Sequence, residues 1–273
     1  MLTSREEFFF DLNGFLVLRG ALSGDQVARV NSWVDALPEL PPGGWFGQVQ
    51  RHGYTSADGM NLQNIVEGGE VFEELIDNPR WIEHARRFVG SDEDGLFIDE
   101  CFLNVRGPGQ GLYMHAGGWT HRQRMRFDFF GGAFRCGQIN MLSALTDIGP
   151  GDGATTLVPG SHKSNLRHPD VAWPDLSQTE VAPSESVEGA IEVHLRAGDT
   201  LLFADSVCHG ALARRNPGER RILVYRYGPA WGAQRLGYRP SRELLARLTP
   251  ARRAIIQPIT PVEAPGQGSL VAA

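Results

Sequence analysis

Cysteine is scarce in this 273-residue chain: three residues, Cys101, Cys136 and Cys208, with no Cys-x-x-Cys spacing. An odd, scattered set builds neither a disulfide framework nor a zinc cluster, and each is expected as a small buried side chain. Positive charge is in short supply as well. The 26 Lys and Arg against 32 Asp and Glu leave a formal net charge of −6, and the basic residues are scattered apart from a few pairs. No phosphate-tracking surface is indicated, so nucleic acid is not an expected partner. Long apolar runs are missing. The first 20 residues carry Arg5, Glu6, Glu7 and Asp11 between their apolar stretches, which matches neither a signal peptide nor a membrane span. A cytoplasmic protein without membrane association is the expectation. Internal repeats and the strand-helix alternation of a parallel sheet are also absent, which argues against solenoids and doubly wound folds.

Glycine and proline are plentiful, at 33 and 17 residues, and favour many turns and short strands over long helices. Hydrophobic content of 41% and charged content of 21% are those of an ordinary globular chain. One domain over residues 1–273 accounts for the length. Residues 1–94 read as a helical support. It contains a strand-like Gly14-Phe15-Leu16-Val17-Leu18, a helix entered at Ser23 with Val27, Val30, Val34 and Leu37 on one face, and two short helices broken at Pro79 and ending near Gly90. A helix before Pro38 ends at or before Leu37. From Gly95 to residue 231 the texture changes to short apolar runs, among them Leu96-Phe97-Ile98, Cys101-Phe102-Leu103-Asn104-Val105, Thr200-Leu201-Leu202-Phe203 and a run at residues 221–227. These predict a mainly β core, a sandwich or jelly roll with flanking α-helices. Residues 232–273 form a C-terminal extension with a modest helix near residues 241–248.

Two of the eight histidines stand out by their surroundings. His115 follows the glycine-rich turn of residues 106–111 and the pair Leu112-Tyr113, which places it at the start of a strand, facing inward. His209 follows a strand and the short turn of residues 204–208. On facing strands of a jelly roll, two such residues meet at one ion, each neutral imidazole offering one nitrogen while an acceptor fixes the other.

Around these histidines run the N-terminal FFDLNGFLVLR at residues 9–19, LTDIGPGDGA at 145–154, Val158-Pro159-Gly160-Ser161-His162-Lys163, Ala197-Gly198-Asp199, and His209-Gly210 with Arg220. In this order they resemble the phytanoyl-CoA dioxygenase family of Fe(II)/2-oxoglutarate oxygenases. The resemblance covers most of residues 8–228. It implies a double-stranded β-helix (jelly roll, cupin-like) fold that consumes 2-oxoglutarate and O2. It also implies His115 and His209 as iron ligands and Arg220 as the base that grips the far carboxylate of 2-oxoglutarate, a task for a planar guanidinium fork. Arg221 is the alternative, because adjacent strand residues point to opposite faces. Asn104, Arg106 and Gln138 fall at positions that line the same cavity in the family. The Ser161-His162-Lys163 run reads as a turn that orders a loop, not as catalytic machinery.

One residue departs from the pattern. Two positions after the first histidine the family carries an aspartate, which would complete a two-histidine-one-carboxylate face; here it is Gly117. The position resembles that of iron-dependent halogenases, in which glycine or alanine leaves a coordination site to chloride. Chlorination and hydroxylation of a C–H bond of a small molecule therefore both stand as outcomes. So do a carboxylate from elsewhere (Asp128 or Asp205), water in the open position, and a degenerate site on a non-catalytic binding protein. His121 offers a further nitrogen. Trp119, His121, Arg122, Arg124 and Arg126 form either a substrate pocket or a solvated loop.

Overall fold

The computed structural model describes residues 2–53, 58–90, 95–117, 123–171, 184–230 and 240–256. It opens with a helix that apolar periodicity does not announce, α1 (Ser4–Asn13). Its start is a capping box: Thr3 Oγ1 accepts the Glu6 N–H while the Glu6 carboxylate accepts the Thr3 N–H, and Gly14 closes the helix at φ 82°. Then follow β1 (Phe15–Leu18), α2 (Gly24–Asp35), β2 (Trp45–Phe46), β3 (Val49–Arg51), β4 (Met60–Gln63), α3 (Glu70–Glu73) and α4 (Ile82–Val89). The α2 helix begins at the predicted Ser23 cap and stops before Leu37; Val30 and Val34 are buried. Gly90 closes α4 with extended backbone at φ −122°, not as a left-handed cap.

The second half supplies β5 (Leu96–Arg106), β6 (Leu112–His115), β7 (Phe127–Phe130), β8 (Ala133–Cys136), β9 (Ile139–Ala144), β10 (Thr155–Leu157), β11 (Ile191–Val193), β12 (Thr200–Ala204), β13 (His209–Ala211) and β14 (Arg220–Pro229). Two helices, α5 (Arg242–Arg247) and α6 (Pro250–Ile256), end the described chain. Arg247 to Glu73 at 2.6 Å and Arg252 to Asp77 at 2.7 Å tie them to the α3 region.

An eight-stranded antiparallel sheet runs in the order β1-β12-β9-β14-β5-β4-β3-β2, and a four-stranded one in the order β11-β10-β13-β6; β7 and β8 pair as a separate hairpin. The segment read as helical support thus also gives the large sheet four of its strands. The two apolar runs expected between residues 96 and 105 are one strand. Asp99 and Glu100 interrupt the apolar pattern but are satisfied inside the fold, by Gln138 Nε2 at 2.7 Å and by Gln63 Nε2 at 2.9 Å with Arg226. A buried carboxylate is tolerated where it is paired.

Strand alternation gives the large sheet two chemistries. One face meets the helices: Tyr225 donates to the Phe72 carbonyl at 2.6 Å, and Trp81 Nε1 donates to Tyr227 Oη at 3.0 Å. Phe10 of α1 stacks on Phe88 of α4 with centroids 4.1 Å apart, both fully buried. Burial of each such ring is worth about 1.5–3 kcal/mol. The other face looks at the small sheet. The register puts Arg106, Arg220 and Ile222 there, and a cross-sheet row of Glu100, Arg226, Asn140 and Phe203. The Phe203 ring reaches the His209 ring of the small sheet at 4.8 Å.

Candidate metal and co-substrate site

His115 and His209 lie directly opposite each other on β6 and β13. They occupy neighbouring strands of one sheet, not facing strands as expected, and His115 ends its strand instead of starting it. A directly opposed antiparallel pair brings side chains together without relying on the gap between sheets. The ring centroids are 4.1 Å apart at 53°. Each Nδ1 faces a carbonyl two residues upstream: Tyr113 O at 3.1 Å for His115, Val207 O at 2.6 Å for His209. A carbonyl only accepts, so Nδ1 carries the proton in both rings and Nε2 carries the lone pair. Desolvation, then the neighbouring His209, holds the His115 imidazole well below its ordinary pKa. Two neutral, pre-oriented imidazoles at this separation fit a shared divalent ion.

Gly117 has a local reason that sequence did not disclose. Ala116 and Gly117 both adopt left-handed backbone, at φ 63° and 73°. A Cβ on Gly117 would lie 2.8 Å from Cys208 Cβ, and the Gly117 N–H donates to the Ser206 carbonyl at 3.0 Å. The glycine therefore lets the chain turn and close on the residue before His209. Among the described residues no group of three or more His, Cys, Asp or Glu is arranged to hold a metal. Asp128 sits on the β7 hairpin, part-exposed, with its carboxylate 2.5 Å from Arg126. Asp205 is buried on the turn before His209.

Arg220 and Arg221 divide as strand alternation requires. Arg221 points out and pairs with Asp35 at 2.7 Å and Glu219 at 2.8 Å. Arg220 points in, is 1% exposed, and donates from Nη2 to Thr155 Oγ1 at 2.9 Å. Its Nε and Nη1 are buried without a hydrogen-bond partner. Burial, then Arg106 and Arg214, holds its pKa well below the ordinary arginine range. An unpaired buried guanidinium is costly and calls for an anion. Leu157 pairs with His209 and Thr155 with Ala211. Arg220 thus engages the small sheet one pleat repeat, about 7 Å, from the histidine row, a span suited to a short dicarboxylate. The residues present fit both a metal and 2-oxoglutarate.

The weaker candidates separate. Asn104 and Arg106 share the inner face with Arg220. Asn104 Nδ2 donates to the Asp58 and Met60 carbonyls at 2.9 and 3.2 Å, and its Oδ1 is buried without a partner. Arg106 Nε donates to Asp58 O at 3.1 Å, and burial brings its pKa down to about 10. Gln138 lies at the opposite end. Its neighbour Ile139 pairs with Tyr227, seven residues past Arg220 and about 24 Å along the strand. Arg126 is half-exposed on the hairpin with Asp128. Trp119, His121 and Arg122 lie outside the described residues.

The Pro-Gly-Ser-His-Lys run does more than make a turn. Ser161 Oγ accepts the Cys208 N–H at 2.8 Å and donates to Val158 O at 2.6 Å, while the Val158 N–H donates to Cys208 O at 2.9 Å. The residue before His209 is thus clamped on both backbone groups. His162, buried against the Phe127 ring at 4.4 Å, donates from Nε2 to Asp11 O at 3.0 Å; burial pushes its pKa down to about 4. Thr155, Ser161 and Arg226 were not singled out as site residues, because their partners are distant in sequence.

A family model described as phytanoyl-CoA dioxygenase matches residues 10–222. The chain is 32% identical to the dioxygenase ALT11 of Alternaria alternata, over 82% of this chain and 72% of that one. It is 24% identical to the ectoine dioxygenase of Stutzerimonas stutzeri strain A1501, over 80% and 74%. Its fold resembles the crystal structure of HygX from Streptomyces hygroscopicus with nickel, 2-oxoglutarate and hygromycin B bound, at TM-score 0.67 and 23% identity, covering 84% of this chain and 88% of that one. The antiparallel two-sheet core and the extent of the family match identify the chain as a member of the phytanoyl-CoA dioxygenase family of Fe(II)/2-oxoglutarate-dependent oxygenases.

Proposed function

We propose that His115 and His209 hold Fe(II) through Nε2 and that Arg220 binds the far carboxylate of 2-oxoglutarate, for oxidation of a C–H bond in a small molecule. The observation that carries this reading is the Arg220 guanidinium, buried with two donor nitrogens unpartnered on the face that looks at both histidines. Iron bound there supplies the activation of O2 with 2-oxoglutarate as the electron source. The protein's own part is to orient the two imidazoles through the Tyr113 and Val207 carbonyls, fix the co-substrate through Arg220 and Thr155, and shield both between two sheets.

Hydroxylation is favoured over chlorination. Gly117 has a packing reason in Cys208, so its presence is accounted for without a halide. The inner row also favours a hydrogen-bonding substrate over a wholly apolar one, since Asn140 presents a buried Oδ1 without a partner beside the Glu100–Arg226 pair.

The test is anaerobic addition of Fe(II) to protein containing 2-oxoglutarate. A visible metal-to-ligand charge-transfer band is expected for the wild type and not for His115→Ala or His209→Ala. A wild type without the band returns the chain to a non-catalytic binding role.

A further inference from the structure

On the face that the large sheet turns toward the small one, a row of side chains leaves one hydrogen-bonding group unsatisfied. Phe203, Asn140, Arg226 and Glu100 are directly paired across β12, β9, β14 and β5, so their side chains share that face. The row reaches the histidines through Phe203, whose ring centroid lies 4.8 Å from that of His209. It is electrically balanced. Glu100 accepts from Arg226 and from Gln63 Nε2, the latter at 2.9 Å, and Asp205 at the other end lies 3.5 Å from Arg124. What the row leaves open is an acceptor. Asn140 is fully buried; its Nδ2 donates to Asp205 Oδ1 at 3.3 Å, and its Oδ1 is without a partner. A carboxylate oxygen in front of Nδ2 fixes which way round the amide stands, so the carbonyl oxygen is the atom left over.

We infer that Asn140 determines specificity: its Oδ1 accepts a hydrogen bond from a hydroxyl or ammonium group of the substrate, whose carbon skeleton rests on Phe203. The class selected is compact alcohols, polyols and amino alcohols, in preference to ketones and carboxylic acids. This names a substrate class for the function proposed above and rests on that reading. A buried amide oxygen without a donor is costly, and a donor on the substrate removes the cost. A ketone or an ionised carboxylate sets oxygen against oxygen there. Nor does the row attract an anion: Arg226 is matched by Glu100, and Arg220, the cation in excess, is engaged by 2-oxoglutarate in that reading. A site built to hydrogen-bond one group of a substrate discriminates against analogues that lack it.

Calorimetry on protein loaded anaerobically with Co(II) and 2-oxoglutarate tests the assignment, with probes that share one ring: trans-2-aminocyclohexanol, cyclohexanol, cyclohexanone and cyclohexanecarboxylate. The two donor probes are expected to bind about 3–10-fold more tightly than the ketone and the carboxylate, the net effect of one hydrogen bond. A lead of the amino alcohol over the alcohol assigns the group as ammonium and equality assigns it as hydroxyl; both support the inference. In Asn140→Leu the donor probes should lose their lead over the ketone. That ratio is read within one protein, so a general loss of stability does not imitate the result, and the wild-type ranking does not depend on any variant folding. A ketone or carboxylate that binds the wild type as tightly as the alcohol overturns the inference. So does a lead that persists in Asn140→Leu, or a loaded wild type that binds none of the probes. A wild type that takes up neither Co(II) nor 2-oxoglutarate instead removes the reading on which the inference rests.

Discussion

Gly117 packs against Cys208 so closely that a Cβ on the glycine would sit 2.8 Å from the Cys208 Cβ. This relationship turns the most unusual residue of the motif from a vacancy into a contact. Gly117→Ala should destabilise the fold by about 2–5 kcal/mol, the sum of a left-handed backbone penalty and overpacking. Thermal unfolding measures it. Cys208→Gly in the same chain should recover part of the loss. Gly117→Asp alone should not create a third metal ligand, and its Co(II) spectrum should show no added carboxylate.

The clamp on Cys208 carries its own consequence. Ser161→Ala leaves the buried Cys208 N–H without its acceptor, at a cost of about 1–3 kcal/mol. Because the next residue is His209, the variant should also bind Co(II) more weakly, whereas Ser161→Thr keeps the hydroxyl and should bind normally. Metal titration of the two variants, with unfolding midpoints as control, distinguishes a positioning role from general stability.

The two neighbouring arginines should behave differently. Arg220→Met should raise the apparent 2-oxoglutarate dissociation constant by about 10–150-fold, the range for charged hydrogen bonds worth 1.5–3 kcal/mol. Arg221→Gln should leave it unchanged, because that guanidinium serves Asp35 and Glu219 on the outside. Co-substrate titration of the charge-transfer band reads both.

Acid should weaken the fold through His162. Burial lowers its pKa to about 4, while an unfolded chain takes up the proton near pH 6.5. A depressed histidine binds fewer protons folded than unfolded, so its stability contribution is complete above about pH 6.5 and falls away as pH drops toward 4. His84, also lowered chiefly by burial, adds in the same direction. Urea unfolding across this range should show a slope that His162→Gln reduces.

The fold class was legible because short apolar runs and turn residues are local signals. The histidines and Arg220 were legible because their neighbouring motifs fall in a fixed order. Some local signals went unread: Thr3 and Glu6 form the capping box of α1, and Gly131-Gly132, at φ 59° and 79°, make the two-residue loop of the β7–β8 hairpin. What sequence could not show is contact between distant residues. Asp99 and Glu100 break the apolar pattern of β5 until Gln138, Gln63 and Arg226 are placed beside them. Gly117 reads as a lost ligand until Cys208, about ninety residues later in the chain, is set against it.

The central claim is that one ion joins His115 to His209 with the co-substrate held on Arg220. A crystal structure grown anaerobically with Fe(II) and 2-oxoglutarate tests it most directly. The account predicts the ion on Nε2 of both histidines and the far carboxylate of 2-oxoglutarate on the Arg220 guanidinium. An ion bound away from this pair, or 2-oxoglutarate bound with Arg220 unengaged, would contradict it.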